Sequence, residues 1–326
     1  MNLAILGAGA WGTALAVSLC AQHRVRLWEA QDEPRAHLER TRTSRFLPGI
    51  ALPDRVAVAA DLAGALGDAD LLLVVTPTSA LESTARAVAS IDAEPSLLWA
   101  CKGFVRESGL LAHEVIGAEL PRARRIGALS GPSFALEVAH GLPTALVLAS
   151  RDAAFAAEAA AVLNAPRLRI YSSRDVLGVE LGGALKNVIA LAAGICDGLA
   201  LGFNARAALI TRGLAEMARL GVAMGGQAET FNGLAGMGDL VLTCTGELSR
   251  NRTVGLRLAA GAGLDTILAE LGHVAEGVNS ARAARDHARS HGIEMPITEA
   301  VCAVLFEGRD AREAVRQLLM REPRPE

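Results

Sequence analysis

The chain has 326 residues, of which 51% are hydrophobic and 21% charged, and its formal net charge is −3 at pH 7. This composition excludes a chain that is mainly disordered, and at roughly 150 residues per domain the length predicts two domains. The slightly negative charge excludes a sequence-wide basic surface for nucleic acid. Because no basic leader is visible, secretion is not expected. Because no run of about 18 uncharged apolar residues is present, a membrane span is not expected either.

Short apolar strands alternate with helices in the first half of the chain. A helix rich in alanine and leucine is predicted over residues 13–21, after the first strand and the turn that follows it. Strands that alternate with helices predict a parallel sheet with helices on both faces, an α/β arrangement. The predicted strands are residues 2–6, 24–28, 71–75, 96–100 and 145–149.

The pattern of apolar residues changes after about residue 176. Strand-like runs largely stop there, and apolar residues recur at helical spacing from Leu181 to Ile195. We therefore expect an α/β domain over residues 1–176 and an all-α domain over residues 177–326. Further predicted helices in the second domain are residues 208–224, 262–271, 279–291, 297–306 and 310–320.

A glycine turn lies between the first predicted strand and the first predicted helix. Gly7 permits a tight turn, Gly9 lets the backbone approach a diphosphate, and Gly12 lets helix and strand pack closely. The helix N-terminus then offers N–H groups and a positive dipole to phosphate. The placement predicts a Rossmann-type, doubly wound dinucleotide-binding sheet, with a plain structural turn as the alternative.

Glu29 directly follows the second predicted strand, where Rossmann-type domains contact the adenosine ribose. An acid at this position hydrogen-bonds the 2′-hydroxyl of NAD, whereas a cation favours the 2′-phosphate of NADP. Glu29 therefore favours NAD, unless it is only a solvated loop residue. Arg35 is nearby in sequence and is expected on a helix.

Only two of the 32 basic residues are lysines, Lys102 and Lys186. Because a guanidinium does not give up its proton, the two retained lysines are candidates for chemistry, with chance as the alternative. Lys186 lies in an apolar helical segment, where burial lowers a lysine's pKa toward the range useful for proton transfer. Asn187 and the paired Gly182 and Gly183 would let a substrate approach, and a snorkelling lysine is the alternative.

Lys102 and three polar segments complete the candidates. Lys102 follows the strand over 96–100, at the carboxyl end where ligands bind in a doubly wound sheet. Residues 130–135 (SGPSFA) form a turn with a hydroxyl, and residues 233–245 (GLAGMGDLVLTCT) are glycine-rich and then polar. Residues 249–252 (SRNR) suit a phosphate monoester, although each segment alone also fits an ordinary loop or helix cap.

The chain lacks the residues that other classes of enzyme require. The only tyrosine is Tyr171, and Asp175 stands where a short-chain dehydrogenase needs a lysine. Five cysteines are scattered without a Cys-x-x-Cys pair, which is typical of free thiols in a reducing cytoplasm and does not support a zinc dehydrogenase. No metal is expected, and no P-loop sequence is present.

At these segments the chain resembles the bacterial NAD(P)-dependent glycerol-3-phosphate dehydrogenases. Matching strings such as GAGAWGTALA (7–16), ACKG (100–103), ELGGALKNVIA (180–190) and GLAGMGDLVLTCT (233–245) are collinear and span essentially the whole chain. The resemblance implies reduction of dihydroxyacetone phosphate to sn-glycerol 3-phosphate for phospholipid synthesis. It also implies a Rossmann-type domain followed by a helical domain, NAD or NADP as cofactor, and a cytoplasmic homodimer.

The resemblance also implies roles for individual residues. Lys186 resembles the catalytic proton acceptor, and Lys102 resembles a lysine that touches cofactor and substrate, while Asn187 and Thr243 match polar residues around the reacting group. The substrate-binding positions, besides the two lysines, match Gly131, Ser133, Asp239, Ser249, Arg250 and Asn251. The cofactor-binding positions, besides the glycine turn, Glu29 and Lys102, match Ala10, Trp11, Ala135, Arg250, Val274 and Glu276.

Two departures from the family pattern concern the cofactor. Many relatives have serine where this chain has Ala10, and many have histidine or arginine where it has Glu29 and Ala30, which puts a preference for NADP in doubt. Two other functions remain open from the sequence: a related dehydrogenase for another small phosphorylated or hydroxy-acid substrate, and a non-enzymatic dinucleotide sensor.

Overall fold

The computed structural model describes residues 1–92, 94–106, 108–271 and 275–320. These residues form two units. The first consists of Met1–Lys102 and Leu110–Val179, and the second of Gly103–Gly109 and the residues from Glu180 onward. The segment Gly103–Gly109 therefore belongs to the second unit although it lies within the first in sequence.

A mostly parallel sheet forms the first unit. Among the described residues its strands are β1 (Asn2–Leu6), β2 (Arg24–Trp28), β3 (Val56–Val58), β4 (Leu71–Val74), β5 (Leu97–Trp99), β6 (Ile126–Ser130), β7 (Thr144–Ala149) and β8 (Leu168–Ser173). They lie in the order β3-β2-β1-β4-β5-β6-β7-β8, and β6–β7 is the antiparallel pair. The helices of this unit are α1 (Ala10–Leu19), α2 (Asp32–Thr41), α3 (Leu62–Leu66), α4 (Leu81–Ala89), α5 (Ala112–Glu119), α6 (Ala135–Ala139) and α7 (Ala153–Leu163), with a 3₁₀ turn at Thr78–Ala80.

Three strands and one pairing direction differ from the sequence prediction. The short β3 and the edge strand β8, whose buried and exposed residues alternate, were not expected. β6 was also missed because Gly127 weakens its strand pattern. A Cβ there would lie 2.5 Å from the Ala149 carbonyl oxygen, so the close approach of β7 requires this glycine. The antiparallel β6–β7 pair departs from the parallel sheet that was predicted.

Helices form the second unit, as predicted, and no strand occurs in its described residues. They are α8 (Val176–Gly198), α9 (Gly202–Ala223), α10 (Ala228–Asn232), α11 (Asp239–Thr245), α12 (Arg250–Ala259), α13 (Leu264–Leu271), α14 (Glu276–Ser290), α15 (Pro296–Phe306) and α16 (Ala311–Leu319). A π-helical turn, Leu234–Gly238, precedes α11. The glycine-rich and SRNR segments, expected from the sequence only as polar segments, thus begin or form helices.

Helix α8 is the central apolar element of the second unit. By length and composition it could cross a membrane, but 94% of its most apolar window is buried within the protein, as in the core helix of a folded domain. It crosses α12 with backbones in contact. A Cβ on Gly194 would lie 2.1 Å from the Arg252 carbonyl oxygen, and one on Gly255 would lie 2.1 Å from the Leu191 carbonyl oxygen.

A carboxylate from α9 caps the N-terminus of α15. Glu216 is 2% exposed and accepts hydrogen bonds from the Ile297 backbone N–H at 2.7 Å, and from the N–H and hydroxyl of Thr298 at 3.2 and 3.3 Å. Burial raises the pKa of Glu216 to about 7, and the hydrogen bonds from α15 oppose that rise. Met295, at the N-cap of α15, makes no side-chain cap, so Glu216 satisfies N–H groups that would otherwise be unpaired.

The Glu216 carboxyl is expected to make folding stability depend on pH. Its pKa is about 7 in the folded chain and about 4.5 in the unfolded chain, so the folded state binds the proton more tightly. Stability relative to Glu216→Gln should therefore fall as pH rises from 4.5 through 7, by about 3 kcal/mol in total, and level off above. Urea unfolding of both proteins across pH 4–8 measures this difference.

The exposed Glu229→Gln variant is the control for loss of one surface charge. A stability difference between the native chain and Glu216→Gln that stays constant across this pH range would contradict the raised pKa.

Candidate active site

The glycine turn after β1 has no room for side chains at two of its three glycines. Gly7 has a φ of +113°, and a Cβ there would lie 2.8 Å from the Val75 carbonyl oxygen. A Cβ on Gly12 would lie 1.9 Å from the Gly7 carbonyl oxygen, so α1 packs directly on the turn. A Cβ on Gly9 would meet nothing within 4 Å but would fill the cradle before α1, whose N-cap makes no side-chain hydrogen bond. This turn fits a diphosphate.

The carboxyl ends of β1, β2 and β4 are level with one another. Leu6 pairs with Trp28 on one side and with Val74 on the other, and the strand order reverses at β1. The glycine turn, Glu29 and Thr76 therefore emerge at one edge of the sheet. Ligands of doubly wound sheets bind at such a reversal.

Several buried polar atoms in the first unit have no hydrogen-bond partner among the described residues. Buried polar atoms in folded proteins nearly always have a partner, so atoms of this kind point to a bound ligand or water. Four of them fit a dinucleotide, because one lies in the first turn of α1 and three lie at carboxyl ends of strands: Trp11 Nε1, Trp28 Nε1, Thr76 Oγ1 and Ser130 Oγ. The fifth, His23 Nδ1, lies just before β2 and apart from these four.

Glu29 turns back toward the glycine turn. Its carboxylate accepts hydrogen bonds from the Ala8 backbone N–H at 3.1 Å and from the Gln31 backbone N–H at 3.2 Å. The nearby cations have acidic partners of their own, because Arg35 pairs with Asp32, and Arg45 pairs with Glu33 at 2.9 Å. The end of β2 thus presents a half-buried carboxylate that is bound to the backbone of the glycine turn.

Lys102 is not a solvated loop lysine. Its Nζ donates to the Gly131 carbonyl oxygen at 2.9 Å, and the Ser133 hydroxyl donates to the same oxygen at 3.0 Å. Gly131 has a φ of +131°, a conformation that favours glycine. The structure thus brings Lys102, Gly131 and Ser133 together, and their hydrogen bonds connect the chain after β5 with the turn after β6. Ala135 begins α6, which follows this turn.

A buried polar cluster occupies the middle of the second unit. The Lys186 ammonium donates to the Asp239 carboxylate and, at 3.0 Å, to the Thr243 hydroxyl oxygen. The side chains of Lys186 and Asp239 are only 8% and 2% exposed. Thr243 donates its own proton to the Asp239 carbonyl oxygen at 2.6 Å, which directs a lone pair of the hydroxyl toward Lys186. These three predicted residues form one hydrogen-bonded unit.

Close backbone packing brings this cluster together. Gly182 lies one turn before Lys186 on α8, and a Cβ there would lie 2.4 Å from the Ala235 carbonyl oxygen. The π-helical turn therefore rests on α8 at Gly182, and α11 begins at Asp239 beside the next turn of α8. Gly182 thus admits the protein's own backbone and not a substrate, which corrects the sequence interpretation for this glycine of the pair.

Two asparagines link α8, α12 and α14. Asn251 donates to the Asn187 side-chain oxygen at 2.9 Å and accepts from the Gly277 backbone N–H at 3.0 Å. Asn187 in turn donates to the Gly183 carbonyl oxygen at 3.2 Å. Both asparagines are buried, so they hold the start of α12 beside Lys186.

The two arginines of the SRNR segment have different surroundings. Arg252 is paired with Asp197 at 2.7 Å, whereas Arg250 is exposed and has no acidic partner in the described part of the chain. Ser249 is buried and caps α12 by accepting the Arg252 backbone N–H at 3.3 Å. Among the residues that the structure describes, Arg250 is thus the cation of this segment that has no acidic partner.

Two further residues were predicted at the cofactor site, near the start of α14. Glu276 begins α14 and is half-buried, whereas Val274 lies outside the described residues. Sequence reasoning did not single out Thr76, which its position after a strand could have indicated, or Gly277, whose backbone N–H binds Asn251. No group of three His, Cys, Asp or Glu side chains suited to a metal occurs in the ranges that the structure describes.

Comparisons with known proteins agree with these features. The family model for the NAD-dependent glycerol-3-phosphate dehydrogenase N-terminus matches residues 2–156, and the model for the C-terminus matches residues 175–316. The chain belongs to the NAD-dependent glycerol-3-phosphate dehydrogenase family. This membership confirms the resemblance found in the sequence, together with the oxidoreductase class and the NAD(P) cofactor.

Individual dehydrogenases are similar over their whole length. Proteins named glycerol-3-phosphate dehydrogenase [NAD(P)+] from Nitrosospira multiformis and Thiobacillus denitrificans are 55% and 56% identical, with 100% of this chain and at least 99% of each relative covered. The crystal structure of glycerol-3-phosphate dehydrogenase from Coxiella burnetii has a TM-score of 0.94 at 41% identity, covering 98% of this chain and 99% of that one. The predicted fold class, a Rossmann-type domain followed by an all-α domain, is confirmed.

Proposed function

We propose that the chain interconverts dihydroxyacetone phosphate and sn-glycerol 3-phosphate by hydride transfer with NAD or NADP. The observation that carries this proposal is the buried Lys186–Asp239–Thr243 cluster, in a dehydrogenase whose SRNR segment has one arginine without an acidic partner in the described ranges. Residues 1–176 would bind the dinucleotide, and residues 177–326 would bind the substrate. Following NADH oxidation with dihydroxyacetone phosphate tests the proposal against other hydroxy-acid substrates and against a non-enzymatic sensor.

The glycine turn would hold the cofactor diphosphate. Gly7, Gly9 and Gly12 shape that turn, and the N–H groups of Ala10 and Trp11 lie between Gly9 and Gly12 at the start of α1. The bound cofactor supplies the hydride that C2 of the ketone receives. Lys102, Ala135, Arg250, Val274 and Glu276 are further cofactor positions by family resemblance.

Lys186 would donate the proton. As C2 accepts the hydride, negative charge develops on its oxygen, and the Lys186 ammonium would donate a proton there and take it back in the reverse direction. The Asp239 carboxylate stabilises the ammonium form, which is the donor form, and Thr243 fixes the direction of the ammonium group. Lys102 would add positive charge, and Asn187 would complete the polar surroundings of the reacting group.

Arg250 would bind the substrate phosphate. Its guanidinium offers paired N–H donors suited to a phosphate, and Asn251 beside it is held in place by two hydrogen bonds. Ser249, Gly131 and Ser133 are the other substrate positions that the family resemblance implies. Binding energy at the phosphate, away from the reacting carbon, orients C2 for reaction.

The cellular setting is also part of the proposal. The enzyme would act as a homodimer in the cytoplasm and supply phospholipid synthesis, as the family resemblance implies. Free cysteines throughout the described chain support a reducing compartment. Sedimentation of the purified protein tests the dimer.

Lys186→Ala should lower kcat by about 10²–10⁴, the usual range for a positioned proton donor. Lys186→Arg should restore little activity, because a guanidinium does not give up its proton. Steady-state kinetics with NADH measures both variants, and fluorescence titration with NADH should show nearly unchanged cofactor binding. Near-native kcat in Lys186→Arg would exclude the acid–base role.

Arg250→Ala should lower kcat/KM for dihydroxyacetone phosphate roughly 10- to 100-fold and change kcat/KM for dihydroxyacetone much less, because a charge-assisted hydrogen bond to phosphate is lost. Arg257→Ala is the matched control, since Arg257 lies on the same helix and is paired with Glu270. Equal losses with the two substrates in Arg250→Ala would show that Arg250 does not bind the phosphate.

Glu29 should bias the enzyme toward NADH, with activity retained with NADPH. Glu29→Gln keeps an acceptor for the Ala8 N–H but removes the charge that repels a 2′-phosphate. The ratio of kcat/KM for NADPH to that for NADH, measured at one ionic strength, should rise about tenfold, which corresponds to roughly 1.4 kcal/mol. Glu29→Ala should shift the ratio in the same direction. An unchanged ratio in both variants would show that Glu29 does not face the ribose.

A further inference from the structure

Asp197, near the end of α8, joins three helices of the second unit. Its carboxylate accepts hydrogen bonds from Arg252 of α12, at 2.8 Å from Nε and 2.7 Å from Nη2, and from Arg206 of α9 at 3.1 Å. All three side chains are less than 20% exposed. Each arginine makes a charge-assisted hydrogen bond to the carboxylate, and all three groups are largely buried. Such bonds hold side chains more firmly than an exposed ion pair does.

Asp197 lies on the same face of α8 as Lys186. The two residues are about three helical turns apart, so a single helix carries the proposed proton donor at one point and Asp197 further along. At Gly194 and Gly255 the backbones of α8 and α12 meet without a side chain between them. Glycines cannot interlock through side chains, so we expect polar contacts to contribute to fixing the rotation of α12 about its axis.

Two polar contacts fix the rotation of α12 about its axis, and they involve neighbouring residues of that helix. Asn251 contacts Asn187 of α8, and Arg252 contacts Asp197 of the same helix. Successive residues of a helix point about 100° apart, so once these two directions are fixed, the direction of Arg250 is fixed as well. Arg250 makes no ion pair within the described part of the chain, and it is therefore oriented through its neighbours.

The charge of Asp197 has a second effect. Arg206 and Arg252 both bind its Oδ2 atom, and without the carboxylate the two guanidinium groups would repel each other. Arg252 would then leave its present position and disturb the first turn of α12.

We propose that Asp197 is a positioning residue for the substrate phosphate, acting through Arg252 on Arg250. This inference rests on the proposed assignment of Arg250 to the phosphate. Asp197 touches neither substrate nor cofactor in this account. It sets the direction from which the Arg250 guanidinium meets its ligand.

Asp197→Asn tests the proposal in the full-length enzyme with NADH. KM for dihydroxyacetone phosphate should rise about tenfold with kcat within about threefold of the native value, while kcat/KM for dihydroxyacetone and KM for NADH stay within about twofold. A merely structural role would lower activity with both substrates alike. Arg252→Gln removes the same ion pair from the other side and should give the same selective loss, so the test does not depend on one variant folding.

A double-mutant cycle separates this proposal from the one it rests on. If Asp197 acts through Arg250, Asp197→Asn should add little to the loss that Arg250→Ala already causes. Glu299→Gln, which breaks the exposed Arg289–Glu299 pair, is the matched control and should leave both substrates unaffected. Additive losses, or a selective Arg250→Ala with a non-selective Asp197→Asn, would overturn the positioning role alone. An Arg250→Ala variant that loses both substrates equally would overturn the phosphate assignment as well.

Discussion

The second unit is organised around the buried ion pair of Lys186 and Asp239. Removing two charges from water costs several kcal/mol per ion, and a pair repays this only with good geometry and further hydrogen bonds. Thr243 supplies one such bond, and Gly182 lets the π-helical turn approach α8 so that α11 begins beside Lys186. Because replacing a buried ion pair by apolar residues of similar volume is often neutral or stabilising, stability alone is a weak explanation of this pair, and chemistry is the better one.

Helix α8, which carries Lys186, also carries two side chains that make polar contacts with α12. Together these contacts set the orientation of α12 relative to α8. Asn187 holds Asn251, and Asp197 holds Arg252, so the first turn of α12 has one orientation relative to Lys186. The distance between a proton donor and a phosphate site decides which substrates present their carbonyl carbon correctly. In this account, substrate selection depends on how α8 and α12 are held as much as on the residues that touch the ligand.

Much of this architecture could be predicted because it depends on local sequence. The strand and glycine turn at residues 2–12 have a short-range pattern with a direct physical cause, and the scarcity of lysine drew attention to Lys102 and Lys186. Apolar spacing after residue 176 likewise identified most helices of the second unit. The rest depends on contacts between distant segments. The antiparallel β6–β7 pair and the capping of α15 by Glu216 join residues that are far apart in sequence.

Two of the predicted site residues have structural contacts that the sequence did not indicate. Ser249 was expected near phosphate, and the structure shows that it caps α12. Gly182 was expected to admit substrate, and it admits the backbone of Ala235. Asp197 gave no signal, because a single acid near the end of an apolar helix resembles any solvated helix terminus.

The most direct test of the account is observation of the Lys186 ammonium itself. Because the chain has only two lysines, a protein labelled with ¹⁵N at lysine Nζ gives at most two ammonium signals, and Lys186→Arg identifies which belongs to Lys186. The account predicts that this signal exchanges with water much more slowly than that of free lysine and that it shifts in Asp239→Asn. A Lys186 signal that exchanges as fast as free lysine, or that is the same in Asp239→Asn, would contradict it.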